Sequence, residues 1–411
     1  MKKIIIRLIL LSLFVLPGVL KGQTGKFISV KGKEIIGPDQ KPFLIRGTSL
    51  GNWLVPEGYM FKFKSVNSPR LINEALVELL GPEETKIFWQ KYQDAYITEG
   101  DIHFLKAIGV NSIRIPFNYR LFTDENYCGQ NNPKRGFELL DSVIGWCKKE
   151  GLYVILDMHC APGGQTGDNI DDGYGYPFLF KSKAMQQLTV DIWKSIAAHY
   201  KNETAVMGYD LLNEPIATYF NKDEFNPYLE PLFKEITKAI RTVDKNHLLF
   251  LGGAQWDSNF SVFGPPFDSK LVYTFHKYWT KTTTKEVIQD YLDFRDKYNV
   301  PIYCGETGEN TDEWDGNFKK TLEENNVGWH YWPYKKMDNT RGVITFDMPA
   351  GYDKIIAYTE QPRGDFEAIR KAAPSDREQI KQALYAFLNN CRFENCRANK
   401  SYIEALGLKA P

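Results

Sequence analysis

VMGYDLLNEP, residues 206–215, is largely apolar on both of its alternating faces before it reaches a carboxylate and a proline. A strand with one wet face would alternate strictly, so this run reads as a strand covered on both sides. Glu214 is costly at its end, because an unpaired carboxylate in an apolar surround favours the protonated form. Seven further runs of the same kind recur along the chain: FLIRGTSL (43–50), NSIRIP (111–116), LYVILDMH (152–159), HLLFLGG (247–253), LVYTFHKYW (271–279), VPIYCGE (300–306) and VGWHYWP (327–333). Between most of them lie stretches of helical period, at 97–109, 136–151, 184–200, 229–243 and 284–298. Eightfold alternation of doubly apolar strands with helices predicts an α/β fold, a (β/α)8 TIM barrel. A doubly wound open sheet is the other parallel solution. Against it, no G-x-G-x-x-G turn follows the first strand, and polar residues close many strands instead of gathering at one crevice.

Composition narrows the partner. The 51 Lys and Arg balance 51 Asp and Glu in 411 residues, so neither nucleic acid nor a charged surface is favoured. Aromatics make up 14% of the chain, with 9 Trp and 23 Tyr, which suits stacking on hydroxylated rings as well as an aromatic core. Residues 1–22 read as a signal peptide: basic residues, an apolar run at 8–16, then Pro17 and small residues. That run is too short for a membrane span and no other stretch is long enough. The first cysteine, Cys128, comes too late for a lipid acceptor, so the expected location is secreted or periplasmic. Residues 23–361 then form one catalytic barrel and 362–411 a helical extension packed on it through 377–391, in a monomer. Cys147, Cys160 and Cys304 read as buried thiols; Cys391 and Cys396 are close enough to pair, and pairing is left open.

Catalytic groups of such a barrel project from the C-terminal ends of its strands. Strand two is read as ending at Arg114, strand three at His159, strand four at Asn213 and Glu214, strand six at His276 and Tyr278, strand seven at Glu306 and strand eight at Trp332. Each has a structural explanation: Asn213 and Pro215 as a helix start, the histidines as hydrogen-bonded core groups, Tyr278 and Trp332 as packing. Their coincidence at strand ends favours function. Two glutamates facing one cavity from strands four and seven fit glycoside chemistry, one protonated to assist the leaving oxygen and one ionised to attack.

The set RIP (114–116), DMH (157–159), NEP (213–215), HKYW (276–279), GE (305–306) and a tryptophan-rich eighth strand resembles glycoside hydrolase family five of clan A over nearly the whole mature chain. GTSLGNWLVPE (47–57) and the stretches 97–122, 156–169 and 328–335 are most similar to its exo-β-1,3-glucanase branch. The resemblance implies Glu214 as acid/base, raised by a low-dielectric site and by the charge of Glu306, and Glu306 as nucleophile, kept ionised by Arg114 and Tyr278. It implies that Asn213, His159 and His276 bind sugar or orient the glutamates, and that Trp332 is the stacking floor; Trp329, Trp53 and Trp279 are weaker subsite candidates. Two positions depart from the branch, Cys160 in place of a glycine and Thr307 after the nucleophile. The loop at 160–178 is read either as a cleft wall or as a disordered surface loop.

The function expected is a retaining β-glycosidase on a β-linked oligo- or polysaccharide, needing no cofactor and no metal. An endo-β-1,4-glucanase, a β-mannanase and a glucosyl-lipid hydrolase share its chemistry. From other classes come a metal hydrolase using His159, His276 and His330, for which no clustered ligand spacing speaks, and a non-catalytic sugar-binding barrel.

Overall fold

The computed structural model describes residues 27–411; the expected signal peptide at 1–22 lies outside them. Eight parallel strands close a barrel in chain order. They are β1 (Arg46–Ser49), β2 (Ser112–Asn118), β3 (Tyr153–Cys160), β4 (Val206–Asp210), β5 (Leu248–Gly252), β6 (Leu271–His276), β7 (Ile302–Gly308) and β8 (Gly328–Trp332). Apart from Arg46 at the start of β1, every residue of these strands is buried, as strands enclosed by helices and by a filled interior must be.

Two expectations about the strands need correction. Arg114 is not at the end of β2 but third of its seven residues, opposite Ser49 of β1 and Ile155 of β3. The proline of RIP does not stop the strand, because the β1 ladder already ends at the Ser49–Arg114 pair and Pro116 withholds no donor that β1 needs. Nor is the helix alternation complete. Between β5 and β6 there is only the short turn Ala254–Asp257 and a 3-10 turn at Phe260–Val262.

The first crossover carries helices that the apolar period at 97–109 did not announce. Helix α1 (Pro69–Leu80), capped by Ser68, and α2 (Pro82–Ala95) precede α3 (Glu99–Ile108). The last starts in a capping box, with the Thr98 N–H donating to Asp101 at 2.7 Å, and stops at Gly109 with φ 100°. The outer ring continues as α4 (Arg135–Glu150), α5 (Lys183–Tyr200), α6 (Lys222–Arg241), α7 (Gln289–Tyr298) and α8 (Asp312–Glu324).

Beyond β8 the chain makes α9 (Tyr352–Thr359), α10 (Phe366–Ala372) and α11 (Arg377–Asn390). Phe387 of α11 is buried and stacks on Phe61 and Tyr352 at 5.2 and 5.7 Å, with Tyr92 of α2 at 6.1 Å. The tail therefore shares an aromatic core with the β1–β2 insertion. It also adds Arg397–Ala398 to a small sheet with Lys335–Met337 and Ile344–Phe346. The cysteines are free thiols; Cys147, Cys160 and Cys304 are buried, as is Cys391, and Cys396 is partly exposed.

Candidate active site

The chain leaves β4 at Asp210 and runs on without a full ladder, the Leu211 N–H bonding the Phe250 carbonyl and the Asn213 N–H the Met158 carbonyl. Glu214 then takes φ 45° and Ile216 φ 58°, conformations disfavoured for L-residues, and this turn brings the Glu214 carboxyl into the barrel mouth. The loop after β3 holds it there. Gln165 donates to the carbonyls of His159 and Asn213, both at 2.8 Å, and Thr166 Oγ1 donates to the Glu214 carbonyl at 2.8 Å. Asp171 fixes the loop by accepting N–H groups of Thr166, Gly167 and Gly173. The segment is an ordered wall, not a disordered surface loop.

Under the mouth, the fully buried Arg114 reaches four acceptors. It bonds Glu306 at 2.5 Å, Asp210 and Asn213 at 2.9 Å, and lies 3.1 Å from Asp157. Tyr278 donates to the other Glu306 oxygen at 3.0 Å. Burial lifts Glu214 to about 7, against the lowering pull of His159 and Arg114; burial, and not the charge of Glu306, is what raises it. His276 Nδ1 lies 2.8 Å from Glu214 Oε1, and burial holds this imidazole down to about 3, hence neutral. One oxygen of each glutamate and one His276 nitrogen all lie within 4.8 Å of one another.

His159 is braced by Asp157 at 2.8 Å and stacks parallel to Trp332 at 5.7 Å. The Trp332 indole donates to Tyr59 at 2.8 Å. Gly51 makes room for that ring, since a Cβ there would lie 2.6 Å from it. Asn213 is fully buried, its Oδ1 on Arg114 and its Nδ2 3.4 Å from His159 Nε2. All eight residues read from the sequence thus gather at one end of the barrel. His159, Glu214, His276, Tyr278, Glu306 and Trp332 line a cleft of about 820 Å³, with Arg114 and Asn213 beneath it.

Trp53 and Trp329 do not belong to the cleft. Their rings are buried, donating to the Gln93 carbonyl and to Glu323, because apolar area without a rim position goes to the core. Trp279 lines the cleft and is 66% exposed. The three histidines of a metal hydrolase do not assemble: His330 is buried against the Tyr303 hydroxyl at 2.5 Å. Among the described residues, the grouping with ligand spacing is Glu214, His276 and Glu306.

Sequence reasoning missed several cleft groups, among them Glu57, Tyr59, Trp256, Glu309 and Lys336. Glu57 is buried, its Oε1 has no partner, and burial beside Glu306 and Glu309 keeps its carboxyl well above the usual range. It follows the end of β1, so the strand-end rule reached as far as its segment. The buried acids Asp157 and Asp210, each lifted to about 7 by burial, and Asp257 gave no signal beyond their residue type.

A family model described as Cellulase (glycosyl hydrolase family 5) matches residues 74–338. The chain is 35% identical over 58% of its length to a beta-xylosidase of Phanerodontia chrysosporium, of which it spans 48%. It is 28% identical over 62% of its length to endoglucanase C of Acetivibrio thermocellus, covering 88% of that protein. To the glucan 1,3-beta-glucosidase of Candida oleophila it is 27% identical over 60% of its length, covering 61%. The rutinosidase structure from Aspergillus niger shares the fold, with a TM-score of 0.59 at 20% identity over 72% of this chain and 91% of that one.

Proposed function

The chain belongs to glycosyl hydrolase family 5 and is a glycoside hydrolase; on that premise we propose that it is a retaining, exo-acting β-glucosidase of a β-1,3-glucan, exported from the cell. The supporting observation is the pair of carboxyls with opposite surroundings. One oxygen of each lies within 4.8 Å of the other, which suits the retaining separation of about 5–5.5 Å better than the separation of about 6.5–9.5 Å in an inverting pair. Glu306 is the nucleophile, since donors from Arg114 and Tyr278 fix its carboxyl in the cleft. Glu214 is the acid/base, since burial preserves its proton to about pH 7.

In the first step a Glu306 oxygen bonds to the anomeric carbon, the glycosidic C–O bond breaks, and the leaving oxygen takes the Glu214 proton. In the second, Glu214 removes a proton from water as that water displaces Glu306. Trp332 offers its face beneath the reacting sugar, and Glu57 lines the same cleft.

Exo action is supported by the fixed polar groups built into the cleft wall. Lys336 is ion-paired to Glu309 and packs over the Tyr59 ring, whose hydroxyl is held by Trp332 and Glu309. Such a wall suits the hydroxyls of a chain end better than a polymer passing through. A second reading, endo-β-1,4-glucanase, is favoured by the near-complete coverage of endoglucanase C. Export rests on residues 1–22; among the described residues no helix is long and apolar enough to cross a membrane.

Product analysis on β-1,3-, β-1,4- and β-1,6-glucans and mannan tests these readings. Monosaccharide from the first time point on β-1,3-glucan is expected. A ladder of oligosaccharides from β-1,4-glucan would establish the endo reading instead, and release from mannan alone would remove both.

A further inference from the structure

Three consecutive non-glycine residues after β5, Gln255, Trp256 and Asp257, hold φ of 54°, 62° and 55°. A run of left-handed L-residues persists only where the surroundings over-determine it, and such places cluster at functional sites. Here the surroundings are specific. Asn226 and Gln255 exchange hydrogen bonds of 2.8 and 3.2 Å, Asn259 donates to Gln255 at 2.8 Å, and Ser258 Oγ donates to the Gln255 carbonyl at 2.6 Å. Tyr291 donates to the Ser258 carbonyl at 3.1 Å. Gly252 clears the space, since a Cβ there would lie 1.9 Å from Asp257 Oδ1.

What this turn delivers is one fully buried carboxyl behind the acid/base. Asp257 Oδ2 accepts the Glu214 N–H at 3.1 Å and lies 3.3 Å from His276 Nε2, while His276 Nδ1 lies 2.8 Å from Glu214 Oε1. Backbone, carboxyl, imidazole and side chain make a closed ring that begins and ends on Glu214. The geometry points to Asp257 as a positioning residue for the acid/base, acting through His276 and the Glu214 peptide; this rests on the proposed role of Glu214.

A neutral imidazole has one donor and one acceptor nitrogen, so the group at Nε2 decides what Nδ1 offers Glu214. The charged and titratable groups around Asp257 are Glu214, His276, Asp210 on β4, Arg114 on β2 and Tyr291 on α7. Burial, with Asp210 and Glu214 beside it, keeps the Asp257 carboxyl protonated well above its usual range. Across the 3.3 Å contact it is placed to donate to His276 Nε2, which sets Nδ1–H as the donor to Glu214 Oε1 and leaves the Glu214 proton on Oε2. After the proton has gone to the leaving oxygen, the same Nδ1–H stabilises the carboxylate that serves as base.

The test compares two glucosides in the full chain, one with a 2,4-dinitrophenyl leaving group that departs without protonation and one an unactivated laminari-oligosaccharide that needs it. Asp257→Ala is expected to lower kcat/KM on the oligosaccharide about 30-fold or more, as lost acid assistance does, with less than about 3-fold change on the dinitrophenyl glucoside. Asp257→Asn, whose amide still donates to His276, should recover part of the loss. Equal losses on both substrates, or none on either, would overturn the assignment. If Asp257→Ala shows no cooperative thermal transition, Gly252→Ala, which displaces the carboxyl without removing it, is judged by the same ratio. Wild-type protein inactive on both glucosides would remove the proposed function itself, a result separate from failure of Asp257 alone.

Discussion

Glu306 receives donors from Arg114 and Tyr278, whereas burial keeps the Glu214 proton in place until about pH 7; one residue type is given two tasks by its surroundings. Removing the nucleophile by Glu306→Ala should lower turnover by at least about 10⁴-fold while sugar binding, read by calorimetry, persists; unchanged turnover would refute the assignment. In the proposed mechanism the raised Glu214 sets the alkaline limb of activity. Because the acid form is required and is lost as pH rises through about 7, kcat/KM on an unactivated glucoside should fall above that pH. On a 2,4-dinitrophenyl glucoside, which needs no acid, the wild-type kcat/KM profile should lack this limb; a limb that persists there belongs to another group. At this scale the glutamates were legible because a carboxylate ending an apolar strand is conspicuous. Asp257 was not, since nothing local tells that a turn of left-handed residues will aim its carboxyl at a glutamate forty-three positions earlier.

The strands converge through small residues at their closest approaches. Gly47 of the four-residue β1 is the tightest case, for a Cβ there would lie 2.1 Å from the Ser112 carbonyl and 2.4 Å from the His330 ring. Neither neighbour is the free end of a flexible chain. Gly47→Ala should therefore destabilise the protein by roughly 3 kcal/mol, measured as a lowered urea midpoint at unchanged slope; an unaltered midpoint would show that β1 is free to move outward. Gly305 fits the same pattern, with a Cβ that would meet Thr274 Oγ1 at 2.3 Å and His276 at 2.9 Å, so the glycine beside Glu306 is a matter of clearance. Apolar period exposed the strands and six of the helices. It could not show Arg114 deep inside β2 or the missing helix between β5 and β6, because ladder length and crossover space are set by neighbouring strands.

Across the whole molecule, the tail and the β1–β2 insertion are joined by more than proximity. Phe387 stacks between Phe61 and Tyr352, and the buried Lys335, paired with Asp101 at 2.9 Å, also donates to the Cys391 carbonyl at 2.8 Å. We therefore expect 362–411 to be integral to the fold. Phe387→Ala should cost about 3–5 kcal/mol in denaturant unfolding, and a loss under about 1 kcal/mol would mark the tail as dispensable.

By itself the sequence determined the eight strands and most of the helices between them, and with them which strand ends would carry chemistry, because doubly apolar strands pair in parallel under helices and polar residues close many of them. It also marked the two glutamates, whose charge is out of place at the ends of such apolar runs. Only the tertiary structure decided their surroundings, the burial of Glu214 and the donors on Glu306, and only it put Trp53 and Trp329 in the core, Glu57 in the cleft and Asp257 behind His276. Those outcomes depend on what lies across space from each residue, and in a closed barrel the nearest groups come from other strands, tens to hundreds of residues away along the chain.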